Sequence, residues 1–330
     1  MASLDTGPTT GPLGGPVTGQ SAGRPARPPT SIRPSRRLSP LPYLLVGPSV
    51  LLLVVVLGYP MARLVVISLQ RYRLRELIRG SGEFVGLDNY RAVLGDPFFL
   101  SVVLRTVVFT AVAVTLTIVL STAMAMLMRR MHGWARIVLQ SVLVLVWAMP
   151  ALVSIAVWQW LFDFDFGVAN WALSSLGLDS FDRHNWFADP KQGFVVITGL
   201  VVWAALPFVV ITLYAGITQV PKELEEAATV DGASGWLVFR HVTFPILRPI
   251  YVIVASLSVI WDFGVFQQVY VMLNGKPSKD YYLIGVYSFI ESFGVNDYGK
   301  GSAIAVLMVL MLLAASVVYI RQMIRLGDVR

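Results

Sequence analysis

The sequence predicts an all-α membrane protein with six transmembrane helices, and three observations carry that prediction. Of the 330 residues, 56% are hydrophobic and only 14% charged, where a soluble domain carries roughly a quarter charged residues. The apolar residues run in blocks rather than alternating with polar ones, each about as long as the ~20 residues that cross a ~30 Å hydrocarbon core at ~1.5 Å per residue. The basic residues sit at the ends of those blocks rather than in one stripe. The net charge of +7 therefore reads as membrane orientation, not as affinity for nucleic acid.

Residues 1–38 are rich in Gly, Pro, Ser and Thr and carry Arg24, Arg27, Arg33, Arg36 and Arg37 against one acid, Asp5. That composition predicts a disordered cytoplasmic tail. The first apolar run, 44–69, begins too late for a signal peptide and lacks a small-residue cleavage site, so it is expected to stay attached as the first helix. The remaining spans are placed at 101–128, 137–160, 194–217, 249–273 and 302–320. They define a transmembrane domain over 39–325, followed by a cytoplasmic tail at 326–330.

Pro60, Pro150 and Pro207 fall inside the spans, where proline is tolerated and marks kinks, either beside a pathway or for packing alone. With the N-terminus inside, the cytoplasmic connections hold Arg129, Arg130 and Arg136, then Lys222, Arg240 and Arg248, then Arg321, Arg325 and Arg330. The first outer loop still holds Arg71, Arg73, Arg75, Arg79 and Arg91, so charge bias supports this topology only weakly.

Several chemistries find no residues here. Without cysteine there is no disulfide, thiolate metal site or cysteine nucleophile. His132, His184 and His241 lack metal-ligand spacing, and Asp163 with Asp165 lacks further ligands for calcium. No Gly-x-x-x-x-Gly-Lys-Ser/Thr loop occurs, so ATP cannot bind in the P-loop manner. No catalytic residue, metal or bound cofactor is expected.

The segment 219–248, between the fourth and fifth spans, differs from a linker. Pro221 suits a first helical turn, and Glu223, Glu225 and Glu226 lie where the positive end of the helix dipole favours carboxylates. Leu224, Ala227, Ala228 and Asp231 share one face with small alanines at its centre. Gly232 can stop the helix at positive φ, and Ser234 can cap a second short helix ending near Phe239. Pro245 is then expected to break the chain and Pro249 to open the next span.

On these residues a resemblance becomes specific. Glu226-Ala227-Ala228, Asp231-Gly232-Ala233, Phe239-Arg240 and Phe244-Pro245-Ile246-Leu247-Arg248-Pro249 resemble the EAA loop of permeases from bacterial ATP-binding-cassette (ABC) importers. Phe84 to Tyr90, Gly167 to Trp171, Ile260 to Phe263 and Tyr298 to Ala303 resemble the carbohydrate-uptake branch, which includes the maltose and glycerol-phosphate importers. The resemblance spans about 40–325. It departs from that branch at Ser278, where a Gly-Gly-Pro run is usual, and in the long N-terminal segment.

The resemblance implies a type I importer permease fold in a bacterial cell membrane, with both termini cytoplasmic. It implies Glu226, Ala227, Ala228, Asp231, Gly232 and Ala233 as the ATPase-coupling residues. Two ATPase subunits carrying ATP and Mg, a second related permease and an extracytoplasmic solute-binding protein are the implied partners, with a sugar, either a di- or oligosaccharide, as cargo.

A charged side chain in mid-bilayer costs at least about 2.5–3.5 kcal/mol, so Asp262, about thirteen residues into the fifth span, argues for a wet or paired location. Together with Ser258 and Gln267 on that segment, Trp203 and Phe208 on the fourth span and Ser154 on the third, it forms a candidate substrate pathway. An interhelical hydrogen bond with no substrate is the other reading of Asp262. A secondary transporter driven by an ion gradient would use Asp262 as its coupling carboxylate, but it predicts inverted repeats that the two halves lack. An intramembrane enzyme would need a nucleophile and base within the spans, and none is found.

Overall fold

A computed structural model of the chain describes residues 41–327. The tail expected over 1–38 lies outside the described residues, as do the last three residues of the tail expected at 326–330. The chain divides after Leu52. Before the division stands most of α1 (Leu41–Leu53), whose side chains from Leu44 onward are exposed, as suits a helix solvated by lipid.

Beyond it, a five-residue π-turn, Val54–Gly58, leads into α2 (Tyr59–Ser68). Leu44–Ser68 is long and apolar enough to cross a membrane. A short hairpin follows. Strands β1 (Gln70–Arg71) and β2 (Glu83–Phe84) pair antiparallel around α3 (Leu74–Arg79), and α4 (Asp88–Leu94) comes next. Asn89 Nδ2 donates to the carbonyls of Ser68 and Gln70, fixing this hairpin to the end of α2.

The centre of the bundle is the pair α5 (Pro97–Arg130) and α9 (Pro190–Ile217). Ala113, Thr117, Ser121 and Ala125 recur every four residues on α5 and are buried. Small side chains on one stripe let helix backbones approach closely in a membrane. Ala113 shares a buried cluster with Ile197 and Leu200, and Ala125 one with Val209 and Leu213.

The third span corrects the expectation of one helix over 137–160. It is a pair, α6 (Gly133–Ala148) and α7 (Ala151–Leu161), bent by 102°. The cause is Pro150, which pushes Met149 out of the helical region, to ψ 128°. Among the described residues five helices are long and apolar enough to span, and this bent pair makes six if it counts as one.

After α8 (Val168–Ser175) and α9 come α10 (Lys222–Val230), α11 (Gly235–Val238) and α12 (Phe244–Phe263). Here too the expectation is corrected. Pro245 does not break the chain, and Pro249 lies inside α12 rather than opening it, because Gly235–Phe263 is helical throughout.

A proline lacks an N–H and its ring clashes with the carbonyl four residues back. The π-turn Phe239–Thr243, in which Phe244 N bonds to the Phe239 carbonyl five back, opens the ladder just ahead of Pro245. Pro60 stands in the same position after the π-turn Val54–Gly58.

The fifth span also ends ten residues earlier than expected. Gly264 to Phe266 break it, and α13 (Gln267–Met272) turns back to pack on α7 and α9. Then come α14 (Ile284–Phe289), the π-turn Ile290–Gly294 and α15 (Tyr298–Gly327), which packs against α2 and α12.

Candidate functional site

The segment after α9 builds a helix, a turn and a second helix from local chemistry. Pro221 stands just before α10, and Glu223 and Glu225 lie in its first turn. The helix ends in a Schellman arrangement: Ala233 N donates to the Ala228 carbonyl and Gly232 N to the Thr229 carbonyl, both at 3.0 Å. That pair of bonds requires a left-handed residue at the turn, and Gly232 supplies it with φ 85°. Ser234 stands at the start of α11 but forms no side-chain cap there.

Of the residues assigned to coupling, Glu226, Ala227, Asp231 and Gly232 are exposed, while Ala228 and Ala233 are half-buried. Leu224, Val230 and Trp236 expose large apolar surface beside them, Val230 to 87%.

The unit is fastened to the bundle by three side chains from three elements. Arg129, at the end of α5, donates through Nη1 to Glu225 Oε1 at 2.7 Å, and its Nη2 pairs with Oε2. Thr243 Oγ1 in the π-turn donates to the same Oε1 at 2.9 Å. The bond from Arg129, reinforced by that from Thr243, holds the Glu225 carboxyl below the usual glutamate range despite its partial burial. A cavity of about 390 Å³ lined by Arg129, Arg130, Glu225, Glu226, Thr229 and Phe239 lies between α5 and the unit.

From α11 the aromatic rings of Trp236, Phe239, Phe244 and Tyr251 touch in series, with centroids 5.6, 6.1 and 5.0 Å apart. The Tyr251 hydroxyl ends the series 3.0 Å from Thr122 Oγ1 on α5.

Arg129 and Thr243 did not emerge from the sequence as site residues, and Glu225 only as a first-turn charge. The available signal was thin: a basic pair closing one span, and a glutamate beside the Glu-Ala-Ala motif. Nothing in spacing pairs them.

The candidate pathway residues are only partly brought together. Ser258 and Asp262 lie one turn apart on one face of α12, 2% and 4% exposed, and Asp262 Oδ2 has no hydrogen-bond partner among the described residues. Asp262 is not midway along its helix, as expected, but next to its last residue, because the helix stops at Phe263. Phe208 contacts Trp261 (centroids 5.4 Å) and Trp203 contacts Trp158 (6.2 Å). Ser154 turns its hydroxyl to the Pro150 carbonyl at 3.4 Å, and Gln267 is exposed at the start of α13.

Gln159 was also missed as a bracing residue. Its Nε2 donates to the Val271 carbonyl at 2.8 Å and so ties α7 to α13. Asp163 caps its own turn, accepting from the backbone N–H of Asp165 and Phe166.

With this geometry in place, the likeness to known proteins is specific. Residues 117–325 match the family described as the binding-protein-dependent transport system inner membrane component. The chain is 42% identical, over 85% of each sequence, to the diacetylchitobiose uptake system permease protein of Streptomyces coelicolor. It is 34% identical to the trehalose/maltose transport system permease protein of Thermococcus litoralis, over 72% of this chain and 79% of that one. A crystal structure of a bacterial ABC transporter involved in import of the acidic polysaccharide alginate shares the fold, with TM-score 0.68 at 18% identity over 85% of this chain and 95% of that one.

Proposed function

Since the chain belongs to the family of inner membrane components of binding-protein-dependent transport systems, we propose that it is one permease subunit of an ABC importer for a di- or oligosaccharide. The relatives' cargoes, diacetylchitobiose and trehalose or maltose, support that class. The chain is a multi-pass transport component rather than an enzyme; ATP and Mg belong to two separate ATPase subunits. A second, related permease completes the pore, and an extracytoplasmic binding protein delivers the sugar across the inner or plasma membrane. Both chain termini lie on the ATPase side. No relative reported above supports an ion-gradient mechanism.

The observation that carries the reading is the unit α10–Gly232–α11. It presents Leu224, Val230 and Trp236 outward, yet Glu225 ties it to α5 through Arg129 and to the π-turn through Thr243, and its second helix runs without interruption into α12. A partner that grips the exposed face moves α10. Because the attachment is stiff at both ends, the displacement reaches α5 through the ion pair and α12 through the continuous helix. Ser258 and Asp262 are on α12 and move with it, which is how ATPase closure would reshape a pathway between the spans.

Reconstitution of the complex with its binding protein tests this. Replacing Ala228 by Trp should abolish uptake while leaving the chain in the membrane, and normal uptake with normal ATPase stimulation would remove the coupling assignment.

A further inference from the structure

Five arginines in the first outer loop run against the bias that sets membrane orientation, and importing a sugar gives them no work. Three of them are neutralised locally: Arg71 pairs with Glu83 at 3.1 Å, Arg73 with Asp297 at 3.1 Å and Arg91 with Asp88 at 3.0 Å. Among the described residues no carboxylate pairs with Arg75 or Arg79. Both line a cleft of about 530 Å³ together with Arg71, Arg73, Glu76 and Glu83.

The height of this cleft is fixed by contacts to α15. Arg73 reaches Asp297, the residue before α15 begins, and the Tyr72 carbonyl accepts from Gly299 N at 3.0 Å within its first turn. Because α15, from Tyr298 onward, is long and apolar enough to span a membrane, α3 stands beside the end of a candidate span. It is also at the opposite end of α5 from Arg129, since α4 packs at the Pro97 end.

On α3, Leu74, Leu77 and Ile78 share one face and are 47%, 45% and 79% exposed. Leu77 lines a second groove of about 540 Å³ with Arg63, Leu64 and Ile67 of α2, and with Phe293. The short helix thus has Leu77 toward the groove beside α2 and its arginines toward the cleft.

We propose that Arg75 and Arg79 hold the phosphate of an anionic phospholipid in the leaflet opposite the coupling unit, with its acyl chains against Leu77 and the groove beside α2. The two guanidinium groups stand one turn apart, about 5–6 Å between Cβ atoms, and their planar forks match phosphate oxygens. Zwitterionic lipid offers the same phosphate but adds a cation that the arginines repel. An acidic protein surface is the competing occupant. It fits less well, because the arginines stand beside the start of the candidate span α15 and Leu77 lines the groove beside α2.

Native mass spectrometry of the purified full complex, with phosphatidylglycerol or phosphatidylcholine added at equal concentration, tests the site without sugar or ATP, so it succeeds or fails independently of the transport reading. The wild-type chain should retain phosphatidylglycerol about tenfold more, the scale set by two arginines facing an anionic headgroup. The variant Arg75→Gln/Arg79→Gln should lose that preference, Arg91→Gln should keep it, and Arg75→Lys/Arg79→Lys should keep it with weaker retention. Equal retention of the two lipids by the wild type overturns the proposal. So does a glutamine variant that keeps the wild-type lipid preference.

Discussion

Arg129 and Glu225 are 96 positions apart in sequence and meet in a two-pronged ion pair that fastens α10 to the end of α5. The Glu225 side chain is 15% exposed and that of Arg129 33%, so water screens the pair only partly. Hydrogen bonds to charged groups contribute about 1.5–3 kcal/mol. Arg129→Ala or Glu225→Ala should therefore lower sugar uptake about tenfold or more, with less loss of basal ATPase activity than of its stimulation by the loaded binding protein. The exchanged pair Arg129→Glu/Glu225→Arg should recover part of the uptake. Additive losses in that double variant would show that the contact transmits nothing.

The same ion pair predicts a pH dependence. A glutamate whose folded-state pKa is depressed, here chiefly by Arg129, adds stability that is present above the ordinary glutamate range of about 4.3 and is lost as pH falls through the folded value. Coupling should hold from neutral pH down through that range and fail only below it. Glu225→Gln should show weakened coupling at every pH with that acid limb missing, read from ATPase stimulation across a pH series.

Gly232 carries φ 85° at the turn, a conformation costing an L-residue roughly 1–2 kcal/mol. Open space surrounds it, so the penalty is conformational and not steric. Gly232→Asn, which tolerates this region, should retain most uptake, whereas Gly232→Val should lose it while the chain still inserts. Equal uptake by the two variants would contradict the turn's role.

Asp262 is buried, one of its carboxylate oxygens has no hydrogen-bond partner among the described residues, and it lies one turn from Ser258 on α12. On the proposed pathway reading, Asp262→Asn should raise the apparent KM for uptake several-fold and leave assembly with the ATPase unchanged. An unaltered KM would leave it as a packing residue at the helix end.

Tyr281 lies between α13 and α14 and donates its hydroxyl to the Phe187 carbonyl at 3.0 Å. Burial, aided by Asp189 and Asp280, pushes its pKa up to about 12. A raised pKa gives stability that is complete below the ordinary tyrosine value of about 10 and lost as pH climbs to the folded value. Thermal unfolding between pH 10 and 12 should steepen in the wild type and flatten in Tyr281→Phe, which itself costs about 1 kcal/mol for the lost bond. Gly193→Ala should destabilise the same place, because a Cβ there runs into the Tyr281 ring and hydroxyl.

Features that depend only on neighbours along the chain are readable from residue order. Apolar blocks of membrane length marked the spans, and the order Pro221, Glu223, Gly232 marked a helix with a defined start and a left-handed stop. Helix propensity, dipole and turn chemistry act within a few residues, so they are legible without a fold.

What needed the tertiary structure are relations between distant segments. A basic residue at a span end can pair with any nearby acid, and only the packing of α5 against the unit after α9 selected Glu225 for Arg129. Pro150 was visible as a kink, but its 102° bend was not. Pro245 looked like a break, and a π-turn absorbed it. Asp262 looked mid-membrane because hydropathy continues past Phe263, where α13 folds back onto α7, an arrangement that Gln159 ties at Val271. Hydropathy reports the solvent a residue prefers, not where a helix ends, and the ends here are set by what packs against them.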